Sequence, residues 1–135
     1  VAGVLHRLNA ERAMVVHSMD GMDELSVCDR SFVAQVDTDG VRTWTLDPLN
    51  FDIPRAEIDE LRVQGPERSA EVLRDILEGE QGARRDIVLL NAAAAIYVGG
   101  KANSVEEGLE KATESIDSGK ANEVLREVAR ISNQA

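Results

Sequence analysis

An α/β fold, a short β-sheet with a hairpin followed by a packed layer of helices, is what this sequence predicts. Strand-like apolar runs crowd the first third, to Leu46, and apolar residues at helical spacing fill the second half. The Asp47-Pro48 pair divides the two regions. A chain of 135 residues with 43% hydrophobic side chains can bury one modest core, so one unit, 1–135, is expected.

Val1, Val4, Leu5 and Leu8 keep helical spacing from the first residue with no capping side chain ahead of them, which predicts a chain that begins inside a helix and lacks residues before it. Ala13 to His17 reads as a buried strand, and Leu25 to Cys28 as a short second one. Phe32 to Asp37 and Val41 to Leu46 flank Thr38-Asp39-Gly40, whose Asp-Gly pair favours the positive φ angles of a hairpin turn. From Asp47 to Pro66 the chain reads as irregular, with a short helix over Pro54 to Leu61.

Four helices complete the prediction. Ser69 to Glu78 carries Val72, Leu73, Ile76 and Leu77 on one side and stops at Gly79. Arg84 to Val98 contains Ile87, Leu90 and the small run Ala92 to Ala95, which lets another backbone come close and marks the most buried helix. Ser104 and Glu107 form a capping box ahead of Val105, Leu109, Ala112 and Ile116. Past Ser118-Gly119 a last helix carries Val124, Leu125, Val128 and Ile131, and all these aliphatic stripes are expected in the core.

Composition narrows the function. The 25 acidic against 15 basic side chains give a net charge of −10, which repels a phosphate backbone and opposes nucleic-acid binding. No run approaches a membrane span and no signal peptide opens the chain, so a soluble protein is expected. The single cysteine, Cys28, excludes an internal disulfide and a thiolate zinc cluster, and fits a reducing cytoplasm.

The chemistry-bearing candidate is Val15 to Glu24, an apolar strand emptying into a small-residue loop with Asp20, Asp23 and Glu24. Adjacent carboxylates on a regular strand would point to opposite faces, so Asp23 and Glu24 converge on one hydrated ion only from a loop or strand end, and Gly21 supplies such a loop. On residue types alone a magnesium site and a solvated acidic turn both remain open. Asp20 reads as a side chain bonding its own turn and His17 as a structural histidine at a strand end. Cys28 reads as a small core residue and Asn91 as an amide that satisfies nearby backbone. Arg84 and Arg85, beside Asp86, read as solvated or ion-paired.

Taken together, Val15 to Glu24, Asp47-Pro48 with Phe51, Arg85 to Ala95 and Ile116-Asp117-Ser118-Gly119-Lys120-Ala121 resemble, in that order and at suitable distances, the C-terminal part of anthranilate phosphoribosyltransferase. The resemblance covers nearly the whole chain. It implies half of the large α/β domain of that nucleoside phosphorylase-like fold. The implied reaction is a step of tryptophan biosynthesis in which the anthranilate nitrogen attacks C1 of phosphoribosyl pyrophosphate and releases pyrophosphate. It implies Mg2+ as cofactor, held by the family's Asp-Glu pair, which falls on Asp23 and Glu24. Magnesium is a hard ion with oxygen ligands at ~2.0–2.1 Å, and it can neutralise a departing pyrophosphate while carboxylates and waters hold it. Family members carry a small helical domain besides the large one and usually dimerise through it.

The chain departs from the family pattern in places. Ser18 stands where the family usually has Gly, Cys28-Asp29-Arg30-Ser31 replaces a Thr-Gly-Pro-like turn, and Gln64-Gly65-Pro66-Glu67-Arg68 replaces a Gly-Gly-Asp-like stretch. The pyrophosphate loop Gly-Thr-Gly-Gly-Asp, the Lys-His-Gly-Asn-Arg segment and an arginine-bearing anthranilate pocket are missing from the sequence. Holding one electrostatic half of the site at most, the chain is expected to be inactive alone. Two other classes stay open: a related enzyme of the pyrimidine nucleoside phosphorylase kind, and a noncatalytic module that self-associates into a homo-oligomer through exposed stripes and a sheet edge.

Overall fold

In the computed structural model, which describes residues 1–134, a three-stranded antiparallel sheet in the order β1-β2-β3 stands before a layer of helices. β1 is Ala13–Ser18, β2 Ser31–Asp37 and β3 Gly40–Leu46. The strands pair with Val16 opposite Val33 and Val33 opposite Trp44. The hairpin forms as expected, with Gly40 at φ +141° opening β3. The turn itself is Thr38-Asp39, and the Asp39 N–H donates to Asp37 Oδ1 at 2.9 Å.

Period-two alternation sends the two faces of β2 to different partners. Val33 joins Leu46, Leu90 and Ala94 in the main core, with Met14, Val16 and Trp44 alongside. Ala34 and Val36 instead meet Ala2 of the first helix, α1 (Ala2–Arg7), with Leu5, Ala13 and Val15. β1 is thus a strand covered on both faces, although its residues from Ala13 to Val16 are only half-buried because it lies at the sheet edge.

After a 3-10 turn over Pro48–Phe51, the helices are α2 (Ile58–Leu61), α3 (Pro66–Leu77), α4 (Ala83–Val98), α5 (Val105–Asp117) and α6 (Lys120–Ser132). The helix expected over Pro54 to Leu61 shrinks to its last turn, closed by reciprocal bonds between Glu57 and Glu60. α3 begins three residues before Ser69 because Pro66, with its φ preset and no N–H to satisfy, suits a first helical position.

α4 is the most buried of these helices, with Leu89, Leu90, Ala93 and Ala94 inside, and its small run does receive another backbone. The partner is α5 at Gly108, where an added Cβ would lie 3.0 Å from the carbonyl carbon of Ala93 and 3.1 Å from its Cα. A second core joins Val72 and Ile76 of α3, Leu89 of α4, and Ala112 and Ile116 of α5.

Three expectations need correction. Leu25 to Cys28 is not a strand: its residues belong to the loop between β1 and β2, and Leu25 and Val27 are buried there as plugs of the core. The stripe of α6 is not core, since Val124 is 63% exposed and Val128 and Ile131 are exposed as well. Cys28 is half-buried rather than interior.

Candidate functional site

The loop from Met19 to Arg30 is built by small polar side chains that bond its own backbone. Ser18, fully buried, receives the Asp20 N–H on its Oγ at 3.3 Å and donates to the Arg30 carbonyl at 3.5 Å. Asp20 acts as a turn residue, accepting the Met22 N–H at 3.1 Å on one oxygen and the Ser26 hydroxyl at 2.5 Å on the other. Burial pushes its carboxyl pKa up, but the hydrogen bonds from the Ser26 hydroxyl and the Met22 N–H help to hold it below the ordinary value. Ser26 Oγ accepts in turn from the Cys28 N–H at 2.8 Å, and the Ser26 N–H donates to Ser31 Oγ at 3.0 Å. Gly21, at φ +97°, takes the bend that other residues rarely adopt.

Two side chains from elsewhere in the fold fasten this loop, Asn91 from the helical layer and Arg55 from the chain between the 3-10 turn and α2. Asn91 of α4 accepts the Leu25 N–H at 3.0 Å and donates to the Leu25 carbonyl at 2.8 Å. Arg55 donates to the Cys28 carbonyl at 3.2 Å and grips both oxygens of Asp47 at 3.0 Å. Arg55 falls in the short helix expected over Pro54 to Leu61 but lies before the turn that forms, and nothing in its spacing signals this role. Asn91 does what its residue type suggests.

Asp23 and Glu24 lie in this loop, beside the buried Leu25. Both are exposed, they leave a loop rather than a sheet face, and neither enters a hydrogen bond or ion pair among the described residues. Glu24 lines a cleft of about 400 Å³ whose walls include Ile58, Arg62, Arg84 and Ile87. No cluster of three or more His, Cys, Asp or Glu side chains suited to a metal occurs among the described residues. Asp23 and Glu24 offer carboxylate oxygens, the donor type taken by an ion that keeps several waters and one or two protein ligands, as magnesium does. The donor set is hard oxygen throughout, unsuited to softer thiolate-seeking metals.

The remaining candidates fall elsewhere. His17 is exposed on β1 opposite Phe32. Burial raises the Cys28 thiol pKa above its ordinary value. Arg85 is ion-paired as expected, to Asp117 at 2.6 Å, but it is not solvated: its side chain is 3% exposed and its Nη1 has no partner. Arg84 donates to the Arg62 carbonyl at 3.0 Å. Asp86 beside them has its pKa raised by burial, partly offset by Arg85.

Comparison with known proteins agrees with this layout. The sequence profile of the glycosyl transferase family, a/b domain, matches residues 1–122. An anthranilate phosphoribosyltransferase of Caldanaerobacter subterraneus is 44% identical over 128 residues, which are 95% of this chain and 38% of that protein. The crystal structure of the Thermus thermophilus anthranilate phosphoribosyltransferase superposes with a TM-score of 0.81 at 37% identity, covering 91% of this chain and 36% of the other. The Saccharomyces cerevisiae anthranilate phosphoribosyltransferase in complex with PRPP and Mg superposes with a TM-score of 0.75 at 28% identity, over 84% of this chain and 33% of the other. The chain therefore spans well under half the length of these relatives.

Proposed function

This chain belongs to the glycosyl transferase family whose a/b domain it matches, and we propose that it is the C-terminal portion of the catalytic domain of an anthranilate phosphoribosyltransferase of tryptophan biosynthesis, acting in the cytoplasm. In that reaction the anthranilate amine attacks C1 of phosphoribosyl pyrophosphate. The C1–N bond forms as the C1–O bond to pyrophosphate breaks, and the amine gives up a proton. The observation that carries the reading is the pair Asp23 and Glu24, exposed and unpaired on a loop whose neighbouring turns are hydrogen-bonded.

Asp23 and Glu24 would hold Mg2+, which when bound supplies positive charge to the pyrophosphate oxygens as they leave. The chain's own contribution is orientation. Ser18, Asp20 and Ser26 fix the turn, while Asn91 ties it to α4 and Arg55 ties it to Asp47, so the carboxylates need little reordering to take a hydrated cation. The excess of acidic groups repels free pyrophosphate, so the positive and glycine-rich parts of a working site must come from elsewhere in the protein. No helix among the described residues is long and apolar enough to cross a membrane.

The test is calorimetric titration of MgCl2 into the chain with phosphoribosyl pyrophosphate present, alongside an assay for phosphoribosyl-anthranilate. Magnesium-dependent ligand binding that vanishes in the double variant Asp23→Asn/Glu24→Gln, with no product formed by this chain alone, supports the reading. Binding that survives the double substitution contradicts the metal assignment, and product formation by the isolated chain contradicts the proposed division of the site.

A further inference from the structure

We infer that Asn91 is a positioning residue for the acidic pair: its side-chain amide locks the peptide that follows Glu24 and so fixes the direction in which Asp23 and Glu24 face. The inference rests on the metal reading of those carboxylates and extends it to a residue on another element, 66 positions away in sequence from the backbone it holds.

The amide of Asn91 copies what a neighbouring strand would offer. Its Oδ1 accepts the Leu25 N–H at 3.0 Å, and its Nδ2 donates to the Leu25 carbonyl at 2.8 Å and to the Ile87 carbonyl of its own helix at 2.9 Å. Both amide hydrogens and the oxygen are thereby used, and only one orientation of the amide does this, because a flipped group would set its oxygen against two carbonyls. Leu25 is 0% exposed, so its backbone groups cannot turn to water without dragging its side chain out of the main core. The peptide between Glu24 and Leu25 is therefore held at its far end by α4 and by the core together, immediately beside one of the two carboxylates.

The one local bond, to Ile87 of its own helix, does not account for an asparagine here. In the interior of a 16-residue helix it is a poorer helix former than Leu or Ala, and it displaces apolar contact in a run of Leu and Ala. Its return lies across the interface, in a loop that has no strand to pair with. Groups that orient metal ligands without touching the ion typically account for 10- to 100-fold in metal affinity.

The experiment is a Mn2+ titration followed by electron paramagnetic resonance, with phosphoribosyl pyrophosphate present, on the wild-type protein and the variants Asn91→Ala, Asn91→Asp and Tyr97→Phe. Asn91→Asp keeps the acceptor for Leu25 N–H and loses both donors. Tyr97→Phe removes a bond from α4 to Gln35 of β2 and reports what general loosening of this helix does. The expected result is an affinity at least about tenfold weaker in both Asn91 variants and unchanged in Tyr97→Phe, with the Leu25 amide exchanging faster in the Asn91 variants. Wild-type-like ion binding by a folded Asn91 variant overturns the inference while leaving the metal site standing. Should Asn91→Ala not fold, the isosteric Asn91→Asp decides. A wild-type protein that takes up no Mn2+ overturns the metal reading itself, and the inference with it.

Discussion

Substituting alanine at two glycines should move stability in opposite directions, because their surroundings differ although both lie in helices. In α5 the Cβ created by Gly108→Ala meets backbone and not a flexible side chain: the carbonyl carbon of Ala93 at 3.0 Å, its Cα at 3.1 Å, and its oxygen closer still. A backbone atom inside a packed helix cannot step aside, so α4 and α5 must separate along their shared face. Overpacking of this kind costs about 1–3 kcal/mol, here at the upper end, and alanine recovers about 1 kcal/mol through its better helix propensity, leaving a net loss of about 2 kcal/mol. Gly3 in α1 has no atom within 4 Å of the place an added methyl would take and keeps only the propensity gain, so Gly3→Ala should be neutral to stabilising by up to about 1 kcal/mol. At roughly 3–4 °C per kcal/mol for a chain of this size, thermal unfolding by circular dichroism should place Gly108→Ala about 6–8 °C below the parent and Gly3→Ala at or above it. A Gly108→Ala melting temperature equal to the parent's would refute the close approach of the two helices.

Two further outcomes follow from the charged groups. Asp117→Asn removes the negative partner of the buried Arg85 guanidinium, and although Asp117 is itself half-exposed, urea titration should show a loss of about 2 kcal/mol; a loss below about 0.5 kcal/mol would mean that Arg85 is held by packing alone. Glu107 is the clearest pH marker: its hydrogen bond from Lys111, with those from Asn103, lowers the carboxyl from 4.5 to about 2. A carboxyl whose folded pKa lies below its unfolded one contributes stability fully above 4.5 and loses it as pH falls through about 2. Carbon-detected NMR titration should find the Glu107 midpoint near that lower value, and Lys111→Met should move it back toward 4.5.

How far the fold is legible in the sequence depends on how local each determinant is. The β2–β3 hairpin and the start of α5 are legible because Asp39-Gly40 and Ser104 act within a few residues of themselves. The capping box is only nearly right: Ser104 accepts the Glu107 N–H at 3.2 Å, but Glu107 reaches back to Asn103, one residue earlier than the cap. Leu25 and Val27 alternate with Ser26 as a strand would, and they miss being one because Ser26 bonds within the loop while Asn91, far along the chain, takes the ladder's place at Leu25. The reason for Gly108 in α5 lies on another element, at the backbone of Ala93 in α4. The α6 stripe has the same periodicity as the buried ones, and periodicity cannot say whether a partner is there. At the site the type and loop placement of Asp23 and Glu24 can be read from the chain, whereas the braces Asn91 and Arg55 are products of folding.

The most direct test of the magnesium reading is an anomalous difference map from crystals of the protein grown with Mn2+ and phosphoribosyl pyrophosphate. The expected result is a peak bonded to carboxylate oxygens of Asp23 and Glu24, with the Leu25 peptide still clasped by Asn91. A peak on other residues, with both carboxylates turned to solvent, would contradict it.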